Sequence, residues 1–302
     1  MPADPLAALL HHFSFTRTAA EESERLQREI VITPPRRALF GALGQLRALP
    51  GYGDLLYVLT LHRIRVRYKQ SLLGPIWAVL QPLLLMLIFT VLFALVAPRM
   101  PSEGLPYPVF VYAAVLPWTY FSSAVAAATA SLVGHTGLVT KVWFPREVLP
   151  LSYVTAGLFD LGLAALLLFG LMAWHGVSPG AQAVWAVPIV ALIAAFALAV
   201  GLVTSAVQVR FRDIGIAVPL LLQVWMFLTP VVYPFRHVPE RWRWLAGLNP
   251  MAGLIEGFRR VTVQNVAPDW GLLLVSAVAT AVALPAAYLY FKAVDTTVAD
   301  RV

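Results

Sequence analysis

Apolar runs close to the ~20 residues that a helix needs to cross a bilayer recur along the chain, at roughly 75–97, 108–133, 149–174, 183–207, 214–233 and 271–292. They predict six transmembrane helices. Ahead of the first run, Asp54–Gln70 places Leu55, Leu59 and Val66 on one helical face and Arg63 and Arg67 on another, the pattern of a helix lying in the membrane interface. The stretch HRIRVRYK also alternates at period two, but an unpaired strand beside a bilayer leaves backbone groups unsatisfied, so the helix is preferred. Between the fifth and sixth runs, Asn249 followed by Pro250 is a helix start: a capping side chain, then a residue whose missing N–H costs nothing at the first helical position. A short helix over about 250–263 is expected there. A second is expected over 239–248 (PERWRWLAGL), where Trp242 and Trp244 suit the headgroup layer. The predicted fold is thus an all-α integral membrane protein. It has six transmembrane helices per subunit, an amphipathic cytoplasmic interface helix before the first, and two short external re-entrant or interfacial helices between the fifth and sixth. A hairpin that merely anchors the chain is the plainer reading of that last pair.

Six crossings put both ends of the chain on one side, and loop charges say which. Arg63, Arg65, Arg67 and Lys69 precede the first span, Lys141 and Arg146 follow the second, and Arg210 and Arg212 follow the fourth. The alternate loops are poor in cations: 98–107 holds Arg99 alone and 175–182 holds none. Because Lys and Arg accumulate on cytoplasmic loops, both termini are expected in the cytoplasm. One connection objects. The segment 234–270, expected outside, carries Arg236, Arg241, Arg243, Arg259 and Arg260; long connections follow the rule less closely. Residues 1–50, with acidic Glu21, Glu22 and Glu24 and the stretch Pro34, Pro35, Arg36, Arg37, read as a partly disordered cytoplasmic extension ahead of a six-span domain over 51–302. The opening MPADPLAALL lacks the basic start and long apolar run of a signal peptide.

Composition agrees. The chain is 60% hydrophobic and 12% charged, with a mean hydropathy of +0.76, against roughly 25% charged in a soluble domain. A net charge of +7 would raise nucleic acid for a soluble protein; here the loop cations account for it, and no nucleic-acid partner is expected. There is no Cys, which removes disulfides, thiolate metal sites and thiol nucleophiles. The six His are scattered apart from His11 and His12, without an HExxH pattern, so neither a metal site nor a catalytic set is expected. A membrane-embedded transferase acting on lipid-linked sugars would need positioned acid, base or metal-binding carboxylates. Glu147, Asp213 and Asp160 are the carboxylates near the cytoplasmic half, and no two form a motif.

Several segments, in order, carry a family likeness: RVRYKQSLLGPIWAVLQPLLLMLIFTVLF (65–93), PYPVFVYAAVLPWTYFS (106–122), KVWFPREVLPLS (141–152), VRFRDIGIAVPLLLQVWMFLTPVVYP (209–234), LNPMAGLIEGFRR (248–260) and FKAVDTTVAD (291–300). Together they resemble the permease subunits of the polysaccharide ABC exporters, which handle O-antigen, capsule and teichoic acid. The likeness runs from about residue 50 to the C-terminus. It implies a homodimer of six-span subunits in the bacterial inner membrane, paired with two cytoplasmic ATPase subunits, moving a lipid-linked polysaccharide. A permease for small lipids or drugs in the same superfamily is the alternative. No G-x-x-x-x-G-K-[ST] phosphate loop occurs in the chain, so ATP and Mg are expected on the partner, and no cofactor is expected on this chain.

The resemblance assigns one candidate site, and residue chemistry suggests the others. The loop with Lys141, Trp143, Phe144, Pro145 and Arg146 resembles the family's main coupling segment, with Arg210, Arg212 and Asp213 as a second ATPase contact; ordinary positive-inside loops are the competing reading. Arg63, Arg65, Arg67 and Lys69 sit where a lipid headgroup would arrive, and Arg suits phosphate because its planar fork makes two hydrogen bonds at once. Attraction to bulk anionic lipid, about 1 kcal/mol per cation, competes with that role. Asp160 lies well inside the third span, where an ionisable side chain is expensive. With Gln81, Tyr112, Trp118, Tyr120, Phe121, Gln223 and Trp225 it is a candidate for the translocation path, since aromatic faces suit a weakly held, sliding glycan; packing is the alternative for each. Trp242, Trp244, Asn249 and Pro250 are candidates for an external gate. Pro82, Pro219 and Pro230 interrupt spans, as hinges or as static kinks.

Overall fold

The computed structural model describes residues 49–96, 102–141 and 144–295. The N-terminal extension before Leu49, Trp143 of the expected coupling segment and the tail beyond Asp295 lie outside the described residues. Helices and connecting turns make up the described residues, with no strand among them. In chain order the helices are α1 (Gly53–Tyr68), α2 (Ile76–Val96), α3 (Tyr107–Thr129), α4 (Thr136–Lys141), α5 (Val148–Trp174), α6 (Ala186–Arg210), α7 (Ile214–Leu228), α8 (Glu240–Gly247), α9 (Pro250–Thr262) and α10 (Trp270–Asp295).

Five of them, α2, α3, α5, α6 together with the single turn before it, and α10, are long and apolar enough to cross a membrane. The remaining apolar helix, α7, has 15 residues, or ~22 Å at 1.5 Å per residue against a hydrocarbon core of ~30 Å. It stops earlier than the apolar run to 233 suggests, for a local reason. A proline disfavours the helical region for the residue before it, and Thr229, followed by Pro230, is extended (φ −101°, ψ 136°). Pro230 therefore ends this helix, whereas Pro82 and Pro219 remain inside α2 and α7.

Burial explains the differing greasiness of the spans. Helix α3 is the least apolar of the five and by far the most enclosed: it packs against α2, α5, α6, α7 and α9, so its Tyr, Ser and Thr hydroxyls meet protein. Helix α2 is mostly exposed and presents Leu84, Leu87, Ile88, Val91 and Leu95 outward. The main core gathers around α3, with Phe110, Leu116, Phe121, Ile193 and Leu254 all essentially inaccessible. A second core at the end of the bundle that bears α1 joins Leu132, Phe144, Leu149, Val209, Tyr288 and Phe291.

At the opposite end, three of the five arginines of the cation-rich connection face a carboxylate. Arg236 pairs with Glu103 (2.9 Å), and Arg243 with Glu240 (4.0 Å) while donating to the carbonyls of Arg236 and Val238. Arg260 donates to the Ala267 carbonyl at 3.0 Å. Arg259 is fully buried, paired with Glu256 one turn away, stacked 4.0 Å from the Phe110 ring and donating to the Val231 carbonyl. Arg259 at least is thereby a structural cation, fixed inside the protein.

Candidate functional site

Helix α1 lies along the first half of α5, in three steps. Thr60 and Thr155 share a hydroxyl hydrogen bond of 2.9 Å. One turn on, Arg63 stacks 4.2 Å from the Tyr153 ring and donates to His135 Nε2, while His135 Nδ1 lies 2.9 Å from the Ser131 carbonyl. A guanidinium only donates, so Nε2 is the acceptor, Nδ1 carries the proton and the ring is neutral. Burial, and then the Arg63 charge, hold the His135 pKa below its ordinary value, against the opposing Ser131 carbonyl. At the end of α1, Arg67 and Tyr68 both donate to the Asp160 carboxylate, one to each oxygen. Burial, reinforced by Asp160, raises the Tyr68 pKa and keeps its hydroxyl a donor.

The four cations expected to recruit a headgroup therefore separate. Arg65, Arg67 and Lys69 are exposed. Arg63 is half-buried and engages His135 and Tyr153, which makes it a strut between α1 and the loop after α3. Beside Arg67, a cavity of about 400 Å³ is lined by Arg67, Tyr68, Trp77, Gln81, Leu84 and Ile88 among others.

The expected path residues separate too. Gln81 on α2 and Gln223 on α7 are exposed. Tyr112, Trp118, Tyr120 and Phe121 are at most 3% exposed and serve the core of the subunit instead. The two tyrosine hydroxyls are taken, since Tyr112 donates to the Ala164 carbonyl at 2.9 Å and Tyr120 to that of Val154 at 3.2 Å. Trp118, Phe121, Phe196 and Trp225 form one ring cluster. A mostly apolar helix enclosed by five others must fill its surroundings with large rings, and it does so here. Asp160 is not lodged alone in α5; its charge is answered by α1.

At the α1 end, the loop expected to act as the coupling segment is clamped to the last helix. Arg146 donates to the Asp295 carbonyl (2.6 Å) and carboxylate (3.0 Å). Glu147, 4% exposed, accepts from Lys292 at 2.7 Å and from Tyr288 at 3.4 Å, and Lys292 also faces Asp295 at 3.8 Å. Phe144 is buried in the second core. Pro145 is half-buried, and Lys141, Arg210, Arg212 and Asp213 are exposed. The roles of Glu147, Lys292 and His135 were missed from sequence. The signal for the first two was available: an acid before the third span and a base near the end of the sixth fall at the same end of a six-span bundle.

At the opposite end, Trp242 and Trp244 are exposed on α8. Asn249 caps α9 by accepting from the Met251 N–H at 3.1 Å, accepts from Trp225 Nε1 at 3.1 Å and donates to Thr229 Oγ1 at 2.8 Å. Asn249 thereby ties the end of α7 to the start of α9, with Pro250 at the first helical position.

Comparison with known proteins fits this architecture. The family model described as ABC-2 type transporter matches residues 54–263. The chain is 33% identical over 257 residues to the O-antigen export system permease protein RfbA of Myxococcus xanthus, covering 82% of this chain and 94% of that one. It is 32% identical over 209 residues to a Klebsiella pneumoniae protein of the same description (68% and 79%). It is 25% identical over 218 residues to the polysialic acid transport protein KpsM of Escherichia coli (68% and 80%). With a family match spanning every helix from α1 to α9 and a relative matched over almost its whole length, this chain belongs to the ABC-2 type transporter family.

Proposed function

We propose that this chain is the membrane-spanning subunit of an ATP-driven exporter of lipid-linked polysaccharide. It works as a homodimer in the bacterial inner membrane, with both termini and the α1 end in the cytoplasm, beside two ATPase subunits that hold ATP and Mg. The observation that carries the reading is the match over 94% of an O-antigen export permease. The protein's own geometry supports it. Lys141, Arg210, Arg212 and Asp213 form an exposed charged surface at one end, suited to an ATPase. Arg146 and Glu147 join the intervening loop to α10 through Asp295 and Lys292, so a push there is delivered to a spanning helix rather than absorbed by a slack loop. Exposed Gln81 and Gln223 on α2 and α7 offer polar contacts for a sugar chain. The α8–α9 pair, with Trp242 and Trp244 exposed and Asn249 and Pro250 at the hinge to α7, acts as the external gate.

The test is co-purification with the ATPase encoded beside it, followed by hydrolysis measurements in liposomes. Stimulation by the glycolipid of the same organism is expected. Hydrolysis indifferent to glycolipid would remove the polysaccharide assignment, and failure to bind any ATPase would remove the exporter assignment altogether.

A further inference from the structure

We propose that Asp160 is the exchangeable counter-ion of a site for a phosphate-headed lipid: it holds Arg67 and Tyr68 while the site is empty and yields them when the phosphate arrives. The proposal rests on the export reading for the identity of the lipid, but its geometry is independent of it.

The cavity beside Arg67 combines polar and apolar walls. Arg67 and Tyr68 enter it from α1, and Trp77, Gln81, Leu84 and Ile88 line it from α2. Positions 77, 81, 84 and 88 share one helical face, with Gln81 between Trp77 and the apolar pair Leu84 and Ile88, which run on for ~10 Å beyond it at 1.5 Å per residue. A guanidinium, a hydroxyl and an amide beside apolar side chains suit an amphiphile better than a free sugar or ion.

The head of such a ligand meets a guanidinium and a hydroxyl donor that already hold an anion. Both oxygens of Asp160 are engaged, by Arg67 and by Tyr68, and these are the two residues of α1 that line the cavity. Arg67 is half exposed while the Asp160 side chain is 14% exposed, so a ligand reaches the cation without first moving the acid. A phosphate offers more acceptor oxygens and more charge than a carboxylate, and the Arg67 guanidinium, which gives Asp160 one bond through Nη1, can donate two at once to a phosphate. Exchange has a cost, because Asp160 loses its partners in a place where an unpaired carboxylate is unfavourable. That cost weakens binding, which suits a carrier that must release the lipid after moving it. It also breaks the charged tie between α1 and α5, leaving the Thr60–Thr155, Arg63–Tyr153 and Tyr68–Phe159 contacts, so occupancy is felt by the helix that leads into α2.

The experiment is calorimetric titration of dodecyl phosphate into the full chain in nanodiscs of neutral lipid. Arg67→Gln should weaken binding about tenfold or more, the loss of a charge-assisted bond. Asp160→Asn should tighten it by a similar factor. Asp160→Ser, which keeps a polar partner for Tyr68 without the charge, should do the same and serves if the Asn variant does not accumulate. A purely structural ion pair predicts the reverse: weakened binding in both Asp160 variants, in parallel with Arg67→Gln, would overturn the exchange. Inorganic phosphate should displace dodecyl phosphate poorly, and displacement at equal concentration would overturn the amphiphile site. No ATPase or glycan takes part. Tight lipid-phosphate binding without glycolipid-stimulated hydrolysis would therefore retire the export reading alone, and stimulated hydrolysis with unchanged binding in the variants would retire the exchange alone.

Discussion

Glu147 and Lys292 stand 145 residues apart and meet at 2.7 Å at the end of the bundle that bears α1. Their side chains are 5% and 13% exposed, and the neighbouring Tyr288 hydroxyl and Asp295 complete the cluster. The pair joins the loop between α3 and α5 to the last turns of α10, so the segment expected to receive the ATPase stroke is fastened to the helix that ends the bundle.

Removing Lys292 leaves the buried Glu147 carboxylate with the Tyr288 hydroxyl but without its counter-ion, which costs ~3–5 kcal/mol, more than removing both charges. Lys292→Met should therefore lower the thermal stability of the detergent-solubilised protein sharply. The double variant Glu147→Gln, Lys292→Gln should recover most of it. If the double variant is as unstable as the single, the pair is not what secures the loop.

Helices α9 and α10 touch at Gly253. A Cβ there would lie 2.5 Å from the Leu272 carbonyl oxygen and against the Ser276 hydroxyl, and backbone cannot step aside as a side-chain tip can. Gly253→Ala should destabilise by ~1–3 kcal/mol through overpacking. In contrast, a Cβ at Gly137 in α4 meets nothing within 4 Å, and Gly137→Ala should be neutral or stabilising by up to ~1 kcal/mol. Thermal unfolding of both variants checks the contrast; equal effects would mean that the α9–α10 contact is looser than described.

Hydrophobic periodicity made the helices legible because a bilayer imposes a length and a composition on what crosses it. The Asn249–Pro250 start of α9 was readable for a different reason: capping is a local chemistry, complete within two residues. What the pattern misjudged was the meaning of aromatic and charged residues inside apolar runs. Tyr112, Trp118, Tyr120 and Phe121 look like a glycan path in one dimension, and only the enclosure of α3 by five neighbours turns them into core. Arg63 likewise looks like one of four equivalent cations until His135, 72 residues away, claims it. Asp160 was recognisable as costly but not as paired, since its partners lie on α1, 92 and 93 residues earlier. Long-range pairing was therefore the illegible part, apart from Glu147 and Lys292, whose shared end follows from counting spans.

The Arg63–His135 contact needs a neutral imidazole, and it is faced by Arg63 and Tyr153, by the Ser131 carbonyl and, more distantly, by His62. Its folded pKa is below the ordinary 6.5, so the unfolded chain binds the proton more readily. Stability from this group is then fully present above about pH 6.5 and is lost as pH falls through the lowered folded value. The wild type should show faster amide exchange in α1 at pH 5.5 than at pH 8, after correction for intrinsic rates, and His135→Gln should remove the difference. An unchanged difference in the variant would assign the pH response to another group.

Asn249 concentrates three interactions in one side chain: the α9 cap on Met251, the bond from Trp225 and the bond to Thr229. Losing a cap alone costs ~1 kcal/mol. Here the loss also strips the indole N–H of its acceptor and frees the extended turn at Thr229 that follows α7. Asn249→Asp keeps the oxygens for Met251 and Trp225 but cannot donate to Thr229 by an amide N–H. Asn249→Ala should therefore destabilise by about 2 kcal/mol, the sum of a cap and a buried hydrogen bond, with Asn249→Asp intermediate, as read by thermal unfolding in detergent. Hydrogen exchange adds a positional check: protection should fall at the first turn of α9 in the Ala variant, and at residues 229–232 in both variants. Loss confined to α9 in both would mean that Asn249 caps its own helix without fastening α7, and the proposed link from α7 to the external gate would have to run through another residue.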